Sequence, residues 1–446
     1  MARTVANEKI RELQRTLYRA AKADPQRRFH ALYDKVLRRD VLERAWEEVR
    51  RNRGAAGIDR QTIADVEGYG IAKLLDDLQR DLKDGSYRAL PARRVFIPKP
   101  GRPGEQRPLS IPAVRDRIVQ AAVKTVIEPI FEADMLACSF GFRPRRSTHD
   151  ALQVLVDEAW KGKRWVVETD IASCFEEIPH DRLMTAIEER ISDRNLLKLL
   201  RAMLRAGVMQ DGVVTRSGAG TPQGGVVSPV LCNVYLHRID RQWARRGRGT
   251  LVRYADDLLA ICKTRTEALA ALDALRAILD ELGLRLKESK TRIVELRAEG
   301  EGFTFLGFEH RLATTRTRRG KQIEFLIRFP SPEAMHRARE RVREITARRR
   351  LLVPAEQIVQ ELNLFLRGWS GYFRYGNSNQ AFHRLMVHTR DRLSLLEAKR
   401  HKRGRPYARR LLAQGLHERV GLSDLHGTVV APRPMKPWRE KPNAVR

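Results

Sequence analysis

The chain is poor in cysteine, short of acid, and lacks any long apolar run. Its 446 residues include four cysteines, Cys138, Cys174, Cys232 and Cys262, each isolated, with no C-x-x-C pair and no paired histidine spacing. That excludes a zinc module and a disulfide framework, and it fits a reducing, cytoplasmic setting. No stretch approaches the roughly 18 apolar residues that a bilayer requires. The N-terminus turns charged at Glu8 and Lys9 before an apolar stretch can build, so neither a leader nor a membrane span is expected. The shortage of acid is the largest imbalance: 55 Asp and Glu against 86 Lys and Arg, a formal net charge of +31. Such a surface attracts a polyanion, and its association with nucleic acid should be salt-sensitive because each neutralised phosphate releases condensed counterions. Charge narrows the partner and leaves the activity open. A hydrophobic content of 42% argues for a folded chain, and the length allows about two to four modules.

Residues 5–50 read as helical with a break near Pro25, with Leu13, Leu17, Leu32, Val36 and Leu42 among Arg and Glu. Arg93 to Pro98 reads as a short strand ending in the basic tip Lys99-Pro100-Gly101-Arg102-Pro103-Gly104, and Arg107 to Pro112 returns as an extended segment. Val114 to Phe131 carries a helical apolar stripe, and the β-rich run Trp165 to Thr169 delivers Asp170 at its end. From Thr266, which reads as an N-cap, Leu269, Leu272, Leu275, Leu279 and Leu282 describe one helix face, closed by Gly283. Ser331-Pro332-Glu333 is a helix start with a cap, a first-turn proline and an acid at the positive end of the dipole. Residues 331–415 then read as helical and strongly basic, so the composition shift marks a domain boundary. The fold class expected is α+β, an antiparallel sheet with helices on one side, followed by a helical region.

Chemistry concentrates in three places. Tyr254-Ala255-Asp256-Asp257 sets two adjacent carboxylates at a hairpin tip between the apolar runs Leu251-Val252 and Leu258 to Ile261. Neighbouring acids repel, and holding them at a strand turn makes sense when divalent cations neutralise them. A carboxylate-bridged pair of Mg²⁺ ions clamps the attacking and leaving oxygens of a phosphoryl displacement, the chemistry of polymerases and nucleases. Upstream, Asp170 closes a strand, and Gly220-Thr221-Pro222-Gln223-Gly224-Gly225 forms a turn with a single side-chain amide.

In this order the blocks resemble the reverse transcriptases encoded by group II introns. They are Ile97-Pro98-Lys99, Arg107-Pro108-Leu109, Asp116-Arg117, Ser139-Phe140-Gly141-Phe142-Arg143-Pro144, Asp170-Ile171, Thr221-Pro222-Gln223-Gly224, Tyr254-Ala255-Asp256-Asp257, Leu282-Gly283 with Lys290-Thr291, and Phe305-Leu306-Gly307. The resemblance implies a right-hand polymerase, with N-terminal helices and fingers in 1–160, a palm in 161–310, a helical thumb and maturase region in 330–390, and a basic DNA-binding segment in 391–446. It implies Asp170, Asp256 and Asp257 as the catalytic acids. Asp170 and Asp256 would bind two Mg²⁺ ions, with the Ile171 carbonyl as a further ligand. Lys99 and Arg107 would meet the nucleotide phosphates, Phe175 would underlie the sugar and exclude a 2′-hydroxyl, Gln223 would lie near the nascent base pair, and Lys290 near the triphosphate.

The run Phe365 to Gly376 interleaves aromatics with cations after an arginine-rich helix, a pattern suited to stacking and phosphate contact on RNA. Trp369, Tyr372, Phe373 and Arg374 are its candidate RNA contacts. The partners implied are an intron RNA template, a DNA target and primer, and deoxynucleoside triphosphates. Many members of the family continue into a Cys- and His-rich endonuclease domain. No cysteine follows Cys262, so that domain is not expected and an existing DNA 3′-end would have to prime synthesis. Two other readings stay open: a splicing maturase without polymerase activity, and a stand-alone or retron-like reverse transcriptase. The intact acids at 170, 256 and 257 speak against a decayed polymerase.

Overall fold

The computed structural model describes residues 2–98, 104, 106–210, 212–216, 218–316 and 320–434. Its strands are β1 Ala92–Pro98, β2 Gln106–Ile111, β3 Trp165–Asp170, β4 Val208–Gln210, β5 Val213–Thr215, β6 Thr250–Tyr254, β7 Asp257–Cys262, β8 Arg292–Glu295, β9 Phe303–Phe305, β10 Phe308–Arg316 and β11 Gln322–Pro330. They form three sheets, in the orders β2-β1-β4-β5, β6-β7-β3-β8 and β11-β10-β9. Pairing in the central sheet is antiparallel throughout, which agrees with the α+β reading. Among the described residues no helix is long and apolar enough to cross a membrane.

The central sheet departs from expectation in one respect: both of its faces are covered. Val167, Leu251, Leu258 and Ala260 join a core with helices Ser228–Arg246 and Arg265–Glu281. Val166, Val252, Leu259 and Ile261 join a second core with helix Thr148–Trp160 and the C-terminal helices. A strand buried on both faces shows no polar alternation, which is why Leu258 to Cys262 reads as a continuous apolar run.

Local corrections follow from the same packing. Helix Arg265–Glu281 is capped by Thr264, not Thr266: the Thr264 hydroxyl accepts the Glu267 N–H at 3.1 Å. The earlier start sets the buried stripe on Ala268, Ala271, Leu272, Leu275, Ile278 and Leu279, and it leaves Leu269 45% exposed. Ser331 caps its helix as read, accepting the Ala334 N–H at 3.2 Å. The expected boundary at 310 falls inside β10, and that at 390 falls inside the continuous helix Asn379–Arg400. The β10–β11 hairpin buries Leu326, Arg328 and Pro330 and leaves the alternating apolar set Ile323, Phe325, Ile327 and Phe329 only partly buried, so the sequence alternation does not indicate which face turns inward.

A buried ion pair fixes the β6–β7 hairpin from behind. Arg253 on β6 and Asp240 on helix Ser228–Arg246 have no side-chain exposure. Arg253 donates through Nε and Nη2 to the two Asp240 oxygens at 2.7 and 2.6 Å. Its remaining hydrogens reach Asn233 Oδ1 (3.1 Å), the Ala255 carbonyl (3.3 Å) and Ser139 Oγ (2.7 Å). Burial raises the Asp240 pKa, but the Arg253 charge more than offsets it and holds the carboxyl at about 2.

The C-terminal helices dock on β9–β11 through aromatic rings. Phe308 lies 4.8 Å from Phe373, Trp369 lies 4.8 Å from Phe373 and 5.4 Å from Phe382, and the Tyr372 hydroxyl donates to the Leu306 carbonyl at 2.8 Å. His310 on β10 is fully buried against Phe303, with ring centroids 4.6 Å apart.

Two stability experiments test this packing. Removing one partner of a fully buried pair leaves an uncompensated charge, so Asp240→Ala should cost about 3–5 kcal/mol, while Arg253→Met combined with Asp240→Leu should recover most of it. Urea unfolding measures both, and a single-variant loss under about 1 kcal/mol would rule out that role for the pair. The second concerns pH. Burial and then the Arg328 charge push the His310 pKa down to about 3 from an ordinary value of 6.5. The folded protein keeps this ring neutral while the unfolded chain protonates it. Stability must therefore fall as pH drops from 6.5 towards 3, by at most about 1.4 kcal/mol per pH unit from this group. Unfolding midpoints against pH should flatten over that window in His310→Leu.

Candidate active site

Strand register brings together acids that lie far apart in sequence. Asp170 is the last residue of β3, and it pairs directly with Asp257, the first residue of β7. Tyr254 pairs with Asp257 across the β6–β7 hairpin, so the turn consists of Ala255 and Asp256 alone. Ala255 takes φ 58°, a left-handed conformation that alanine rarely adopts, and the Arg253 guanidinium holds its carbonyl. The Ile171 N–H donates to the Asp256 carbonyl at 3.1 Å, and the Lys287 N–H donates to the Asp170 carbonyl at 2.8 Å. Backbone bonds therefore lock the three acids to one sheet end.

Their electrostatics show carboxylates crowded in a partly dry site. Asp257 is pushed up to about 9 by burial, then by its hydrogen bond and charge contact with Asp170, and then by Asp256. Burial, followed by the charge of Asp170, also raises Asp256. Asp170 moves the other way: burial raises it, but hydrogen bonds from Asp257 and Lys290 outweigh burial and lower it. Near neutral pH the protein thus keeps a proton on Asp257 and an ion pair between Lys290 and Asp170. Both devices supply positive charge to a site that has too little.

The same balance bears on metal binding. Among the described residues no group of three or more His, Cys, Asp or Glu is assembled as a metal cage. Mg²⁺ does not require one, because it is commonly held by one or two carboxylates together with substrate phosphates. Asp170 and Asp256 fit that donor set. One of the two Asp170 oxygens, Oδ2, is engaged by Lys290 in this state.

The other candidates surround the acids. Phe175, in the helical turn Cys174–Glu177, is half-buried, and its carbonyl accepts the Thr221 N–H at 2.6 Å. The Gln223 carbonyl accepts the Ser110 N–H at 2.6 Å, which docks the Gly220–Gly225 turn on β2. Gly224, at φ 112°, is required there because a Cβ would lie 2.4 Å from the Ser110 carbonyl oxygen. Arg107, on the same strand, is exposed, and its charge slightly tempers the rise that burial and Asp170 impose on Asp256. Lys99 lies outside the described residues.

The four expected RNA contacts form a separate group. Trp369, Tyr372 and Arg374 are partly buried, whereas Phe373 is 5% exposed with its ring inside the aromatic seam. Aromatics interleaved with cations read as an RNA surface, and the same rings serve as packing. Sequence reasoning missed Arg253, Asp240 and Asn233, which brace the hairpin. The available signal was a cation inside an apolar strand, Leu251-Val252-Arg253, with Asn233 inside the largely apolar run Val230 to Leu236 of the neighbouring helix.

Comparison with known proteins agrees with this arrangement. Residues 97–310 match the family model of reverse transcriptase (RNA-dependent DNA polymerase), and residues 335–414 match the group II intron, maturase-specific domain. Protein YkfC of Escherichia coli (strain K12) is 35% identical over 378 residues, covering 76% of this chain and 96% of that protein. The group II intron-encoded protein LtrA of Lactococcus lactis subsp. cremoris is 38% identical over 215 residues, covering 48% of this chain and 35% of LtrA. Nuclear intron maturase 4, mitochondrial, of Arabidopsis thaliana is 26% identical over 221 residues, covering 49% of this chain and 26% of that protein. Acids paired across β3 and β7, a reverse transcriptase match around them and a maturase match behind them have one common explanation: the chain belongs to the group II intron reverse transcriptase and maturase family.

Proposed function

We propose that this chain copies intron RNA into DNA and that its C-terminal region binds the same RNA to assist splicing and mobility. The observation that carries the reading is the register pairing of Asp170 with Asp257 beside the Asp256 turn. In this reading Asp170, Asp256 and the Ile171 carbonyl hold two Mg²⁺ ions. Such ions would supply Lewis acidity to the primer 3′-hydroxyl and positive charge to the pyrophosphate leaving group. The chain itself positions and neutralises, and no protein nucleophile is needed.

Each flanking residue has a task. Arg107 contacts the triphosphate bidentately, with Lys99 as its counterpart. Lys290, paired with Asp170 in the free protein, exchanges that partner for the triphosphate and so releases the carboxylate when substrate arrives. Phe175 floors the sugar, and the pinned Gly220–Gly225 turn sets Gln223 beside the nascent pair. Asp257 steadies Asp170 through their shared hydrogen bond. Residues 1–160 act as fingers, 161–310 as palm, 330–390 as thumb and 391–446 as a basic DNA-binding segment, the last two joined through helix Asn379–Arg400. Trp369, Tyr372 and Arg374 offer their exposed edges to RNA while Phe373 supports them from within.

Primer extension on an RNA template tests this function. Extension should require Mg²⁺, and Asp170→Asn or Asp256→Asn should each lower it by roughly a thousandfold, about 4 kcal/mol of barrier. Splicing assistance by the same variants should persist, because their fold and C-terminal region are unaltered. A wild-type chain that aids splicing yet extends no primer would overturn the polymerase half.

A further inference from the structure

Phe142 combines two unfavourable features without an evident structural return. It is 51% exposed, and it adopts φ 56°, the left-handed region that L side chains rarely enter. A turn alone would be served better by glycine or asparagine at such a position. Strain of this kind persists only where surrounding structure imposes it, and it gathers at functional sites.

The surroundings do impose it. The Phe140 N–H donates to the Arg253 carbonyl at 2.9 Å, and Asn233 Nδ2 donates to the Gly141 carbonyl at 2.8 Å. A Cβ on Gly141 would lie 2.4 Å from the Ala255 nitrogen, so the loop is pressed directly on the turn that carries Asp256. Behind Phe142, the nearly buried Arg143 side chain pairs with Glu132 at 2.7 Å and donates to the Leu136 and Ser139 carbonyls, each at 2.7 Å. Gly141 is therefore fixed to the frame of the acidic hairpin, and Arg143 to the end of helix Val114–Glu132 and the loop that follows it.

From that frame the Phe142 ring meets Phe175, with centroids 6.5 Å apart and planes at 80°. Edge-to-face contact at this spacing is favourable and directional. Phe175 packs its inner side on the core, and the Thr221 N–H pins its backbone. Phe142 is the ring that meets it outside that core.

We propose that Phe142 is a positioning and specificity-determining residue, whose ring edge braces Phe175 and so sets the room left for the sugar of an incoming deoxynucleoside triphosphate. The inference rests on reading Phe175 as the plate beneath that sugar. It explains why an aromatic occupies a backbone conformation better suited to glycine: the ring, not the turn, is what the position requires.

The test measures kcat/KM for a deoxynucleotide and for the matching ribonucleotide at one template position, together with the thermal midpoint, for the full chain. Phe142→Gly should keep or raise the midpoint, because it relieves the left-handed strain, yet lower the deoxy-to-ribo ratio by about tenfold. Phe142→Tyr retains the ring edge and should restore the ratio to within about twofold of wild type. Phe175→Ala is run beside them. If Phe175→Ala lowers the ratio and Phe142→Gly does not, the bracing role is overturned and the reading of Phe175 survives. If Phe175→Ala leaves the ratio unchanged, that reading fails and the inference falls with it. A ratio that Phe142→Tyr fails to restore likewise overturns bracing by the ring edge.

Discussion

The guanidinium of Arg253 is the point on which the acidic site depends. A charged side chain with no exposure loses its hydration entirely, and only complete pairing makes that tolerable. Here every hydrogen of the guanidinium is used, on Asp240, Asn233, Ser139 and Ala255. These partners come from the helix Ser228–Arg246, the loop after helix Val114–Glu132 and the hairpin itself. Three separate segments are thereby referred to one group. A hydrophobic core could hold them at the same average distance, but apolar contacts are non-directional, whereas five aimed donors fix orientation. The strained Ala255 turn and the partly buried Asp256 beyond it inherit that orientation.

Rigidity at the back of the hairpin allows charge frustration at its front. Asp170, Asp256 and Asp257 are all buried enough for their charges to be costly, and nothing in the sheet lets them separate. The protein relieves the conflict with what it has: a proton held on Asp257 and the Lys290 ammonium on Asp170. Both are provisional forms of positive charge. A proton and a lysine side chain can each leave, which a permanent arginine pair like that of Asp240 could not do. The same acid–base chemistry is thus built in two styles within one hairpin, permanent behind and exchangeable in front.

Much of this was legible in the chain where the information is local. The acidic hairpin, the strand ending at Asp170, the helix beginning at Ser331 and the glycine turn around Gln223 each depend on a few adjacent residues, and each appears where the sequence places it. The register of Asp170 with Asp257 depends on residues 87 positions apart, and no local pattern encodes it. Two-sided burial of the central sheet was misread because an apolar run does not say how many faces it covers. The β10–β11 hairpin could not be oriented from its alternation, because the face that carries Arg328 is the one the packing buries. Phe373 shows a further limit: aromatic and cationic residues alternate both on RNA surfaces and in packed seams, and only burial separates the two.

The seam also joins the two halves that the family models match separately. Thr148, at the head of the helix packed on β6 and β7, donates to the Tyr254 hydroxyl at 3.3 Å. The next residue, His149, hydrogen-bonds the Tyr372 carbonyl at 2.7 Å and meets the Tyr372 ring at a tilt and the Tyr375 ring edge to face. Farther along, the Val430 N–H reaches the Arg374 carbonyl and Gln153 reaches the Arg433 carbonyl, so the C-terminal segment returns across the same joint. The strand that carries the acidic hairpin and the helix that carries the maturase aromatics thus share one short helix as their common support. One packed joint therefore connects the C-terminal helices to the end of the central sheet where the acids lie.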